Sequence, residues 1–82
     1  MFSVNFDPLA LKFLEKQEKQ IAKRIWDKVQ STKENPYHYF EKLVGRLDFR
    51  LRVGDYRVLA DIDQSSNTIQ VTVIGHRKDI YK

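Results

Sequence analysis

Apolar and polar residues alternate at Phe2-Ser3-Val4-Asn5-Phe6, the pattern of a half-buried strand. Asp7-Pro8 follows and predicts a helix start, with Asp at the N-cap and Pro at the first helical position. No Gly or Pro recurs before Pro36, so residues 8 to about 34 are expected to be helical. The apolar positions do not hold one phase. Leu9, Phe13 and Leu14 form one stripe, and Ile21, Ile25 and Val29 form another, rotated by about 100° at 3.6 residues per turn. Between them Glu15-Lys16-Gln17-Glu18-Lys19-Gln20 is wholly polar. A helical hairpin broken near residue 17 is the preferred reading, with a single bent helix as the alternative. Asn35-Pro36 ends the segment.

Residues 37–45 form a connection carrying Tyr37, Tyr39 and Phe40 and ending at Gly45. Three strands follow. Leu47, Phe49, Leu51 and Val53 alternate with Arg46, Asp48, Arg50 and Arg52; Gly54-Asp55 is a two-residue hairpin signal; and Tyr56, Val58, Ala60 and Ile62 alternate with Arg57, Leu59 and Asp61. This loop pairs Val53 with Tyr56, Arg52 with Arg57 and Leu51 with Val58, which puts the apolar partners on one face. After the polar turn Gln64-Ser65-Ser66-Asn67, a last strand runs from Thr68 to about Gly75. Strict alternation buries Ile69, Val71 and Val73 against Ile62, Ala60 and Val58. It sets Arg57 opposite Ile74, with His76 diagonal to it and on the same face.

That register changes the reading of the charges. Like charges directly across a strand pair destabilise it, so Arg52 beside Arg57 suggests an anion bound between them. A solvated sheet face also carries charges, and Asp48, Asp55 and Asp61 are near enough to neutralise some of them. The chain carries 15 Lys and Arg against 11 Asp and Glu, net +4, which favours polyanionic partners. Six of the nine lysines precede residue 34 and five of the six arginines follow residue 45. Lysines on a helix, such as Lys16, Lys19, Lys23 and Lys28, are usually solvated, and Lys23 with Asp27 makes an i,i+4 pair. Arginine is the better bidentate phosphate ligand, so the second half is where a site is expected.

The ending His76-Arg77-Lys78-Asp79-Ile80-Tyr81 adds two groups of interest. Imidazole, with an ordinary pKa of about 6.5, is the one side chain here able to exchange protons near neutrality unperturbed. Tyr81 can anchor the C-terminus on the sheet, orient a phosphate or stack on a base. With no cysteine, a disulfide framework and a Cys-based zinc site are excluded. The N-terminus has neither a basic region nor a long apolar run, so no signal peptide or membrane span is expected. At 82 residues one domain, 1–82, is expected.

The element order, with Leu43-Val44-Gly45, the R-x-G-D-Y-R segment Arg52–Arg57 and the G-H-R-x-x-x-Y segment Gly75–Tyr81, resembles the RelE/ParE superfamily of toxins, most closely its RelE branch, over essentially the whole chain. The resemblance implies an α+β fold like that of small microbial ribonucleases: an N-terminal strand, then a helical hairpin packed on a twisted antiparallel sheet (β-α-α-β-β-β), with a short C-terminal segment. It implies a cytoplasmic type II toxin that cleaves messenger RNA on the ribosome without a cofactor or metal and is neutralised by a RelB-like antitoxin, with no DNA target of its own. Position by position, Arg52, Arg57, Arg77, His76 and Tyr81 would form the catalytic set, and Arg50 and Lys78 would contact the substrate. Where the bacterial RelE pattern has strand lysines this chain has arginines. Guanidinium keeps its proton, so Arg50 and Arg52 are expected to bind phosphate and not to act as bases. A ParE-like gyrase poison without nuclease chemistry, and a degenerate antitoxin-binding member, are the alternatives.

Overall fold

The computed structural model describes residues 1–80. Strand β1 (Ser3–Phe6) leads into helices α1 (Pro8–Glu15) and α2 (Lys19–Ser31), a one-turn helix α3 (Pro36–Tyr39), and strands β2 (Glu41–Lys42), β3 (Phe49–Val53), β4 (Tyr56–Asp63) and β5 (Thr68–His76). The sheet order is β1-β5-β4-β3-β2. β3, β4 and β5 form the expected antiparallel meander, and β1 joins the free side of β5 in parallel. The α+β class therefore holds, and β2 and α3 add small elements to the aromatic connection.

The helical hairpin forms as the two apolar phases require. Breaking the helix at residues 16–18 lets each half turn its own stripe inward, α1 over β5 and α2 over β3. Ile25 and Val29 are fully buried as expected. On α1 the buried face is Ala10 and Leu14, whereas Leu9 is 74% exposed and lies outside the core. Asp7 has the extended backbone of an N-cap but makes no capping bond with its side chain. Its Oδ1 instead accepts a 2.6 Å bond from Gln70 Nε2, tying the start of α1 to β5.

The β3–β4 hairpin has the expected register: Val53 opposite Tyr56, Arg52 opposite Arg57 and Leu51 opposite Val58. Gly54 takes φ +58° in the turn, which glycine tolerates without a Cβ penalty.

The β4–β5 pair departs from strict alternation. Ile62 and Ala60 oppose Ile69 and Val71, but Leu59 opposes Val73, so Thr72 is an extra residue in a β-bulge. Its Oγ1 donates to the Leu59 carbonyl at 3.3 Å. One inserted residue exchanges the faces of everything beyond it. Ile74 is therefore in the core at 5% exposure, and Val73, expected inside, is 41% exposed. Arg57 faces Gly75 and not Ile74, and His76 faces Tyr56.

Candidate functional site

Adjacent strand residues point to opposite faces, and directly opposed residues share one. Arg50, Arg52, Arg57, Leu59 and Gly75 consequently lie on the sheet face away from the core. The Tyr56 ring lies on the helix side, edge-on to Phe13 at 6.1 Å. His76 sits with it, ring centroids 5.5 Å apart and nearly perpendicular. The expectation that His76 shares a face with Arg57 is thus corrected, and the Thr72 bulge is the cause.

Arg57 is the most constrained of the arginines. It is 8% exposed, and its Nη1 donates to the carbonyls of Gly54 at 2.8 Å and Tyr56 at 2.9 Å. The hairpin turn therefore holds one nitrogen of the guanidinium, while Nε and Nη2 have no partner among the described residues. No carboxylate pairs with it there. Neither of these two donors is a sealed, unpartnered atom, so both stay open to solvent and an anion can reach them. Arg52, directly across from it, is exposed and also has no carboxylate partner among the described residues.

The other basic residues are differently employed. Arg50 Nη2 donates to Glu41 Oε2 at 2.7 Å across the β2–β3 pair. Arg46 pairs with Asp48 at 2.8 Å. The backbone N–H of Arg77 donates to the Asp55 carbonyl at 2.8 Å, fastening the C-terminal segment to the hairpin turn, and its Nε lies 3.7 Å from Asp55 Oδ1. Both of those side chains are more than half exposed, so the pair is weak. Ile80 rests against Gly75, where a Cβ would meet it at 3.6 Å. Because Gly75 is opposite Arg57, this contact folds the C-terminal turn over the arginine face. Lys78 is exposed, and its backbone N–H donates to His76 Nδ1 at 3.2 Å. Tyr81 lies outside the described residues.

Arg52 and Arg57 are thus adjacent, Arg77 is bound to the same hairpin turn, Arg50 is two residues along the same strand face and engaged by Glu41, and His76 is on the other side. Among the described residues no group of His, Cys, Asp and Glu could hold a metal ion. Such an arrangement can bind an anion and stabilise added negative charge.

Known proteins share both the sequence pattern and the fold. Residues 4–81 match the family described as the ParE toxin of type II toxin-antitoxin systems. The chain belongs to the RelE/ParE superfamily of type II toxins. Its fold is that of RelE toxins solved in complex with antitoxins. The RelBE2 toxin-antitoxin complex of Mycobacterium tuberculosis superposes with TM-score 0.85 at 24% identity, covering 93% of this chain and 98% of that one. The intact RelBE complex of E. coli gives TM-score 0.77 at 22% identity, covering 93% and 96%. The RelB-RelE complex of Methanococcus jannaschii gives 0.71 at 26%, covering 93% of each. No curated protein sequence matches the chain. No helix among the described residues is long and apolar enough to cross a membrane.

One contributor escaped the sequence reading. The guanidinium of Arg24 lies directly over the hairpin turn, where a Cβ added at Gly54 would come within 2.9 Å of both its Nη atoms. The signal was present: Arg24 is the single arginine in a helical segment whose other cations are lysines.

Proposed function

We propose that this toxin is a metal-independent endoribonuclease that cleaves messenger RNA, acting in the cytoplasm on the ribosome. The carrying observation is the buried Arg57 guanidinium, held by two turn carbonyls with no acid beside it among the described residues, and flanked by Arg52. In the proposed reaction a 2′-oxygen attacks the adjacent phosphorus and the bond from phosphorus to the 5′-oxygen breaks. The products are a 2′,3′-cyclic phosphate and a 5′-hydroxyl. The 2′-OH gives its proton to water and the departing oxygen takes one from water. Arg57, Arg52 and Arg77 stabilise the charge that accumulates on the phosphorane oxygens, an effect worth roughly 2.7–4 kcal/mol for one well-placed donor. The mechanism leaves His76 out of the proton transfer, because Tyr56 and His76 share the opposite face. Phosphate contacts carry no sequence information, so any codon preference comes from stacking or from the ribosome.

The partner in this reading is a RelB-like antitoxin. Leu9, Leu11 and Trp26 are exposed on the helical layer, and a cavity of about 320 Å³ between α1 and α2 is lined by Leu11, Leu14, Ala22 and Trp26. An amphipathic helical segment crossing the helices would cover these residues.

The test is incubation of purified protein with ribosomes and message, followed by sequencing of product ends. Cyclic phosphate termini at discrete positions are expected, and intact message would overturn the proposal. The match to the ParE description favours one second reading, a gyrase poison without nuclease chemistry. Loss of supercoiling with message intact would select it.

A further inference from the structure

We propose that the groove between α2 and the outer edge of β3 is a second phosphate-binding tract, holding the stretch of single-stranded RNA that flanks the scissile phosphate. This rests on the nuclease reading above and extends it to residues outside the arginine–tyrosine motif.

The groove exists because β2 is short. β2 pairs only with Phe49 and Arg50, so beyond Arg50 the outer edge of β3 has no strand neighbour. Helix α2 flanks that edge and leaves a cavity of about 560 Å³ lined by Arg24, Lys28, Arg52 and Gly54. A second cavity of about 260 Å³ continues from it past Lys28 and Arg52 to His38, Tyr39 and Arg50. Arg24 and Lys28 are four residues apart and therefore adjacent on one face of α2, an arrangement that is unfavourable for like charges in isolation.

The acids nearby do not relieve this crowding. Asp27 lines the first cavity and Glu41 the second, but Asp27 is engaged by Lys23, and Glu41 by Arg50 at 2.7 Å. Among the described residues Arg24, Lys28 and Arg52 have no carboxylate partner. Three cations thus line one groove, and Arg52 at its inner end stands directly across from the buried Arg57. A strand whose scissile phosphate sits at Arg57 would pass Arg52 and enter the groove.

An aromatic surface at the far end favours a nucleic-acid strand over an isolated anion. Tyr39 is 40% exposed, with Lys28 Nζ over its ring at 5.3 Å from the centroid and the His38 ring nearly perpendicular to it at 4.8 Å. Cations tracking a backbone with an accessible ring for a base are the features that bind single strands with little sequence preference.

The experiment uses the full chain, a labelled single-stranded 2′-O-methyl RNA that cannot undergo 2′-OH attack, and fluorescence anisotropy over a series of salt concentrations. The Arg24→Gln/Lys28→Gln double variant is expected to reduce the slope of log affinity against log salt by about 1.4, two contacts at roughly 0.7 each. In ribosome-coupled cleavage it is expected to raise KM more than it lowers kcat. Tyr39→Leu should weaken binding about tenfold with the salt slope unchanged. The charge-matched control Lys16→Gln/Lys19→Gln should move neither quantity. If the wild type binds and cleaves RNA but the Arg24/Lys28 variant has the wild-type or control slope, the groove assignment is wrong. If the wild type neither binds the RNA nor cleaves message, the nuclease reading falls and the groove with it.

Discussion

Tyr56 and His76 face one another across β4 and β5 with ring centroids 5.5 Å apart, while the next pair along, Arg57 and Gly75, projects from the opposite side of the sheet. The imidazole and the buried guanidinium are near in sequence register yet separated by the sheet itself. For the proposed nuclease that separation predicts a kinetic consequence.

His76→Gln is expected to change the cleavage rate by only a few-fold, far less than loss of an arginine. Its measurable effect should be on stability, about 0.5–1.5 kcal/mol in denaturant unfolding, from the lost edge-to-face contact with Tyr56. A hundredfold rate loss with folding intact would return His76 to the chemistry.

Arg57→Lys keeps the charge but not the fork. One ammonium cannot hold the Gly54 and Tyr56 carbonyls while also gripping two phosphate oxygens. Cleavage is expected to fall roughly 100- to 1000-fold. Urea unfolding should show a loss of about 1.5–3 kcal/mol, the scale for hydrogen bonds involving a charged group. Single-turnover kinetics alongside the unfolding curve separate the two effects, and a wild-type rate in the variant would remove Arg57 from the site.

The bulge at Thr72 is tested by its neighbours. Ile74→Ala should cost about 2–5 kcal/mol because Ile74 is inside the core. Val73→Thr, at a 41% exposed position, should fall within about 0.5 kcal/mol of wild type. An unbulged strand would give the reverse order, so the two unfolding midpoints decide the register.

Acid titration should find Asp63 in the β4–β5 turn. The Ser65 hydroxyl, and then the Ser65 backbone N–H, donate to its carboxylate and hold its pKa below the ordinary 3.8. A carboxyl lowered on folding contributes stability that is fully present above its unfolded value and is lost as pH falls through the folded value. Asp63→Asn should therefore lower the melting temperature slightly at neutral pH, and the difference from wild type should vanish once the pH has fallen through the lowered folded value. Solvent exposure keeps the effect small. A difference that persists unchanged into acid would show that the carboxylate charge is not its source.

Local pattern carried most of the fold. The two helical stripes out of phase around Glu15–Gln20 implied a break, and the hairpin breaks at residues 16–18. Gly54-Asp55 between alternating runs implied the β3–β4 register, and every pair of that hairpin follows it. The candidate site was legible only where it rests on that hairpin, as Arg52 opposite Arg57. Placing His76 beside Arg57 required counting along β5 without interruption. Nothing local to Thr72 marks a bulge, since Val-Thr-Val reads as ordinary alternation.

What the amino-acid order determined by itself is whatever depends on neighbours a few residues apart: helix phases, the glycine turn, and the apolar face of each strand up to its first irregularity. The tertiary structure decided which side of the sheet the last strand's end presents, and that helix α2 brings Arg24 over Gly54. Both follow from packing between segments distant in the chain, where side-chain volume and the fit of helix to sheet select among conformations that local preference leaves nearly equal in energy.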